Sequence, residues 1–152
     1  MKGVFGLNSY ADLLRKLEWE FEQLTAEPTS AYVAYNFFVT AWHLLEWRYS
    51  DPYGTSTRNE IKDKTPLLQI CEHLAVGAKH FEPGNPKLKS VSDSRWNGAW
   101  APGAWAKGAW KFGAWKESLS VSLTGEAQIL YGDRIEVLEL ARMAMNYWKA
   151  AP

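Results

Sequence analysis

At 152 residues the chain has room for one domain with a proper core, and residues 1–152 are read as a single domain. Seventeen basic residues balance seventeen acidic ones, so no global charge draws the molecule to nucleic acid or to an anionic membrane. With 47% apolar and 22% charged residues the composition is that of a globular protein rather than a disordered one, and a lone cysteine, Cys71, excludes an intramolecular disulfide framework and fits a reducing cytosol.

Met1-Lys2-Gly3 leads straight into an amphipathic segment, so no signal peptide is expected. Ser9 is the expected N-cap of a first helix over 10–26, with Asp12 as a short stand-in for the usual capping-box Glu. Leu13, Leu14, Leu17, Phe21 and Leu24 recur at helical spacing, which puts Arg15, Lys16, Glu20 and Glu22 outside. Pro28-Thr29-Ser30 ends that helix and caps a second over 31–49. The second is apolar almost all round and is therefore expected to be central and covered on several sides. Its most apolar run, 31–47, contains Asn36, His43 and Glu46 and falls short of the roughly 20 residues a membrane span needs, so a cytoplasmic protein without a membrane is expected.

Residues 51–57 read as a loop and 58–64 as a polar lead-in with a short turn of helix. Thr65 then caps a third helix with Pro66 at its first position, ending near His80-Phe81. Pro83-Gly84-Asn85-Pro86 is the next break. Farther on, the alternation of Ser118 to Thr124 predicts a half-buried strand, Gly125-Glu126 a turn, and Ala127 to Tyr131 a return strand. Asp133, with Glu136 three residues on, is the expected cap of the last helix. The expected fold class is α+β, mostly α: a four-helix bundle with a Trp-rich extended ribbon and a small antiparallel β hairpin before the last helix.

The ribbon is the chain's most unusual stretch. Gly-Ala-Trp recurs four times at a period of five, ending in Trp100, Trp105, Trp110 and Trp115, with Trp96 just before. Four glycines cost a helix about 1 kcal/mol each and Pro102 about 3 more, so a helix is not expected. In a flat single strand a step of five places consecutive Trp on opposite faces. A bulge at each Gly would bring them to one side, and a single coil of a pentapeptide-type solenoid would need stacked neighbours. The preferred reading is an extended, bulged ribbon pressed onto the helices. The alternative is a row of aromatic platforms for single-stranded nucleic acid, carbohydrate or a partner chain. From Pro86 to Lys116 six cations, including Lys107 and Lys111, face one anion, Asp93, a net +5 in a neutral chain. Such a mixture suits a stacking groove and equally an edge strand kept soluble by Lys. The candidate binding residues are therefore Trp100, Trp105, Trp110, Trp115, Lys107 and Lys111.

Candidate chemistry rests on few residues. His43 and Glu46 lie one turn apart on the second helix, and Lys79-His80 closes the third. If the two helices are neighbours, His43, Glu46 and His80 converge, and with Lys79 they form a candidate acid–base set. A core role for His43 and an exposed position for His73 are the structural alternatives. A Lys–His pair at a helix end is also explained by the macrodipole alone. No metal or other cofactor is expected, since His73 and His80 are seven apart and Cys71 is not placed with them.

Phe37-Phe38-Val39-Thr40-Ala41-Trp42-His43-Leu44, the run from Cys71 to Phe81 with its Lys-His-Phe end, and the Gly-Ala-Trp pentads resemble a group of small uncharacterised bacterial proteins with a helix–helix–aromatic-repeat layout. That resemblance implies a layout and no activity. More distantly, a helical bundle with a polar Lys-His end resembles HEPN-type domains, many of which are RNA-cutting toxins or defence proteins. Their hallmark, Arg followed four to six residues later by His on one helix, is not met here, because the residues from Leu74 to Lys79 before His80 include no Arg. The expected function is a non-enzymatic bacterial helical domain whose ribbon mediates self-association or binds a protein partner. The alternative is a HEPN-like ribonuclease or single-stranded RNA-binding protein acting through His80, Lys79 and His43.

Overall fold

Six helices and a three-stranded antiparallel sheet make up residues 5–50, 54–79, 88–97 and 117–151, the parts of the chain that the computed structural model describes. In chain order they are α1 (Tyr10–Ala26), α2 (Ala31–Arg48), α3 (Gly54–Asp63), α4 (Pro66–Lys79), β1 (Val91–Asn97), β2 (Ser118–Leu123), α5 (Gly125–Tyr131), β3 (Arg134–Glu136) and α6 (Val137–Ala150). α1, α2, α4 and α6 meet in one core that also takes Val121 and Leu123 from β2 and Ala127 from α5. Among the described residues no helix is long and apolar enough to cross a membrane.

α1 begins as its sequence dictates. The Ser9 hydroxyl accepts the Asp12 amide at 3.2 Å, while the Asp12 carboxylate accepts the Ser9 hydroxyl at 2.7 Å and the Asn8 amide at 3.0 Å. These bonds, the one from Ser9 first, hold the Asp12 carboxyl below its ordinary range, and Arg15 adds to the effect. The buried stripe is Leu13, Leu17, Glu20 and Leu24. Glu20 corrects the expectation that it lies outside: it is 3% exposed, and Lys16 reaches in to pair with it and with the Thr40 hydroxyl of α2 at 2.6 Å.

α2 buries a broad face, Ala34, Phe37, Phe38, Thr40, Ala41, Leu44 and Leu45, but it is not covered on several sides. Tyr32 is 86% exposed, and Tyr35, Asn36 and His43 also face solvent. An aromatic helix can stand half in water when the phenol hydroxyls of its Tyr residues stay wet.

Of the expected loop over 51–57, Gly54 to Thr57 belong instead to α3, and Asp51 to Tyr53 lie outside the described residues. The cause is tertiary. The Arg58 guanidinium donates to the Tyr49 carbonyl at the end of α2 and, at 2.8 Å, to the Thr55 hydroxyl, so one orphan carbonyl and the new helix are tied together. Any side chain at position 54 would run into that same carbonyl, which is why a Gly stands there. α4 follows its expected start, with the Thr65 carbonyl accepting the Leu68 and Gln69 amides at 2.9 and 3.2 Å.

β2 is the central strand, with β1 and β3 on its two sides. β1 pairs with it in register from Asp93↔Ser122 to Asn97↔Ser118, after a bulge between Val91 and Asp93. β3 pairs as Ser120↔Glu136 to Ser122↔Arg134. The strand expected at 118–124 is thus present. The return strand over 127–131 is not: those residues form α5, entered through Gly125 at φ +61 and left through Gly132 at φ +86. The Asp133–Glu136 capping box is likewise replaced by strand β3. The Asp133 carbonyl accepts the Leu123 amide at 2.8 Å and its carboxylate takes the Gln128 amide group at 2.8 Å, so β2 claims the segment and helix α6 waits until Val137. The single hairpin of the sequence reading is therefore a three-stranded sheet interrupted by a helix.

Candidate functional site

A recess follows from this layout. The N-terminal half of α2 and the C-terminal half of α4 stand apart over the β1–β2 face, leaving a half-open cleft of about 600 Å³. Its sides are mostly apolar, with Ala31, Ala34, Tyr35 and Phe38 on α2 and Leu74 and Gly77 on α4. Its base carries Trp96, Leu119 and Val121, with the polar groups His73, Ser94 and Ser120 among them. Asp93 and Arg95 share the cleft and pair with each other. A mostly apolar recess with a few polar groups is the usual lining of a site that receives a small molecule or an apolar side chain.

His73 is the polar residue that holds the cleft together. Its Nδ1 accepts the backbone amide of Val91 at 3.1 Å, so α4 is latched to the first residue of β1. Accepting at Nδ1 places the ring's proton on Nε2 and requires the neutral imidazole. Partial burial pushes the His73 pKa below 6.5, in the same direction. The expected exposed position for His73 is thereby corrected. The signal for it was present in the helical spacing from Ile70, which is buried, to Gly77, which lines the cleft.

A pH effect follows. Because the folded His73 resists protonation and the unfolded one does not, the stability carried by this latch is whole above pH 6.5 and is lost as pH falls from there through the lower folded value. His73→Gln keeps an acceptor but cannot titrate. Its melting temperature is expected to fall less steeply than that of the wild type below pH 6.5; parallel profiles would show that the latch does not matter.

The other sequence candidates are distributed differently. His43 Nε2 lies 4.0 Å from Glu46 Oε2, so the two are neighbours, but both are exposed on α2 and neither lines the cleft. Lys79 is the last residue of α4, with its side chain outside the description, and His80 lies beyond the described residues, so their convergence with His43 and Glu46 falls there too. Trp100, Trp105, Trp110, Trp115, Lys107 and Lys111 also lie outside the described residues. Among the described residues no three His, Cys, Asp or Glu side chains gather as a metal site. Cys71 is buried and its thiol is pushed up to about 12 by desolvation, so it carries no thiolate at neutral pH.

A second recess, about 370 Å³, opens between the C-terminal ends of α2 and α6. The Arg48 guanidinium stands there over the rings of Tyr10 and Tyr49, at 5.3 and 5.7 Å, and donates to the Tyr10 hydroxyl and the Ala151 carbonyl at 3.5 Å. These contacts tie α1, α2 and α6 together and account for Arg48 as a structural cation. No protein-family model, curated protein or solved structure matches the chain.

Proposed function

We propose that this is a non-enzymatic, bacterial, cytoplasmic helical domain that self-associates through the Trp-rich segment between β1 and β2, on a body we read as a four-helix bundle carrying the sheet. The observation that supports the reading is the pairing of Asn97 with Ser118. Asn97 and Ser118, the described residues on either side of the repeat, are cross-strand partners, so the segment's two ends lie together at one end of the sheet.

Charge favours a second copy of the chain as the partner. Residues 86–116 hold six cations and one anion, which leaves eleven cations against sixteen anions elsewhere, a net −5 opposite a net +5. Basic aromatic segment and acidic body are therefore complementary between copies, and such complementarity speeds encounter and orients it. The body also offers an apolar and acidic spot on α5, where Ile129 is 84% and Leu130 56% exposed beside exposed Glu126 and Asp133.

Light scattering on the purified protein, with and without a mixed single-stranded RNA, tests the reading. The expected result is an oligomer whose mass ignores RNA, falls as salt is raised, and is unchanged by His80→Ala. A monomer that gains mass on RNA, or shortens it in a manner that His80→Ala abolishes, would overturn it in favour of an RNA-directed protein.

A further inference from the structure

We propose that β1 pairs antiparallel with β1 of a second copy across a two-fold axis at Ser94, joining the two sheets edge to edge. The pairing uses none of residues 98–116, so it stands or falls independently of association through the Trp-rich segment.

β1 is an edge strand. β2 lies on one side of it, and among the described residues no strand pairs with the other side. Such an edge offers a row of backbone amides and carbonyls to a further strand. The amide of Val91 is taken by His73 of α4. Past Val91 the strand is open to solvent, with Ser92, Ser94 and Arg95 exposed.

The charges on this edge fit one partner. Asp93 and Arg95 are two residues apart and share a face, and Arg95 Nε donates to the Asp93 carboxylate at 2.7 Å. Their side chains are 42% and 49% exposed, so both can reach a neighbouring strand as well as each other. A two-fold axis through the sheet keeps every residue on its own face. In an antiparallel pair of identical strands one residue must then oppose its own copy. Centred on Asp93, the pair sets carboxylate against carboxylate. Centred on Arg95, it sets guanidinium against guanidinium. Like charges directly opposite are destabilising.

Centred on Ser94, Asp93 opposes the partner's Arg95 and Arg95 opposes the partner's Asp93. The four charges then form a square of alternating sign on one face. The five residues past the Val91 amide, Ser92 to Trp96, are symmetric about the same axis. In a lone molecule the Asp93–Arg95 pair keeps the edge soluble, and in the dimer it selects the register.

Crosslinking tests the axis. Opposite residues lie about 4.5–5.5 Å apart at Cα, within reach of a disulfide. Cys71 is buried with its thiol pushed up to about 12, so it stays out of the reaction. On air oxidation Ser94→Cys is expected to give a covalent dimer. Ser92→Cys is also exposed but would lie about 14 Å from its own copy in this register, and is expected to lag far behind. Equal rates, or no crosslink at position 94, would overturn the proposal. Added to Ser94→Cys, either Asp93→Arg or Arg95→Asp alone is expected to slow crosslinking about tenfold, since each sets like charges face to face. Mixing the two variants is expected to restore the rate, because each carries the charges that the other lacks, and this recovery separates lost pairing from lost folding. A mixture no faster than its components would overturn the register. An oligomer whose mass ignores Asp93→Arg would overturn this interface and leave the Trp-rich segment standing.

Discussion

Trp148→Ala is expected to destabilise the protein by about 3–5 kcal/mol, the range for emptying a buried aromatic position. At this chain length each kcal/mol shifts the midpoint by about 2–4 °C, so the melting temperature should fall on the order of 10 °C. Trp148 is the largest fully buried side chain among those described. It stands on the α6 stripe of Val137, Leu140, Ala141, Ala144 and Met145, with its ring edge-on to Tyr10 at 6.5 Å and to Tyr147 at 5.0 Å. Its indole N–H is buried with no hydrogen-bond partner in the structure. An unsatisfied buried donor costs about 1–3 kcal/mol, so Trp148→Phe, which removes the donor and keeps one ring, should lose far less than Trp148→Ala. Chemical denaturation measures both, and equal losses would show that the indole N–H carries no penalty.

The second large effect concerns Lys16 and Glu20. Glu20 is buried, and its Oε2 has no partner in the structure while Oε1 is held by Lys16, whose ammonium also donates to Thr40. Lys16→Met strands a carboxylate inside the α1–α2 contact. Removing one member of a buried pair costs about 3–5 kcal/mol, and the lower end applies here because the Lys16 side chain is 37% exposed. Lys16→Met/Glu20→Leu removes both charges and should recover most of that loss or exceed wild-type stability. A double-mutant cycle reads the coupling directly. If the double variant is no better than Lys16→Met, the pair is not the source of the loss.

What could be read in the residue order was whatever is decided within a few residues. The Ser9–Asp12 cap, the α1 stripe from Leu13 to Leu24, the Thr65-Pro66 start of α4 and the alternation of β2 are all local, and each is present. What was misread depends on a distant partner. Glu20 looked solvent-facing because Thr40, on the next helix, was not in view. His73 looked exposed because Val91, eighteen residues later, supplies the amide it accepts. Residues 127–131 have strand-like composition, but the positive φ of Gly125 and Gly132 frames them as a helix, and β2 then pairs with 134–136 instead. For the candidate site the pentad period was legible, but the pentads lie outside the described residues, whereas the cleft depends on the His73–Val91 contact between α4 and β1, which no local pattern encodes.

The placement of α6 has a consequence for how the chain matures. The Tyr10 hydroxyl meets the Trp148 carbonyl at 3.5 Å across 138 residues, and Lys149 pairs with Glu18 at 3.4 Å. At a synthesis rate of about 5–20 residues per second, Tyr10 is made about 7–28 seconds before Trp148, and the end of α2 at Arg48 about 5–20 seconds before it. During that interval α1 and α2 lack α6, against which both pack in the finished core. The β1–β2 pairing spans far fewer residues and can register earlier. The helical core, which needs α6, closes last.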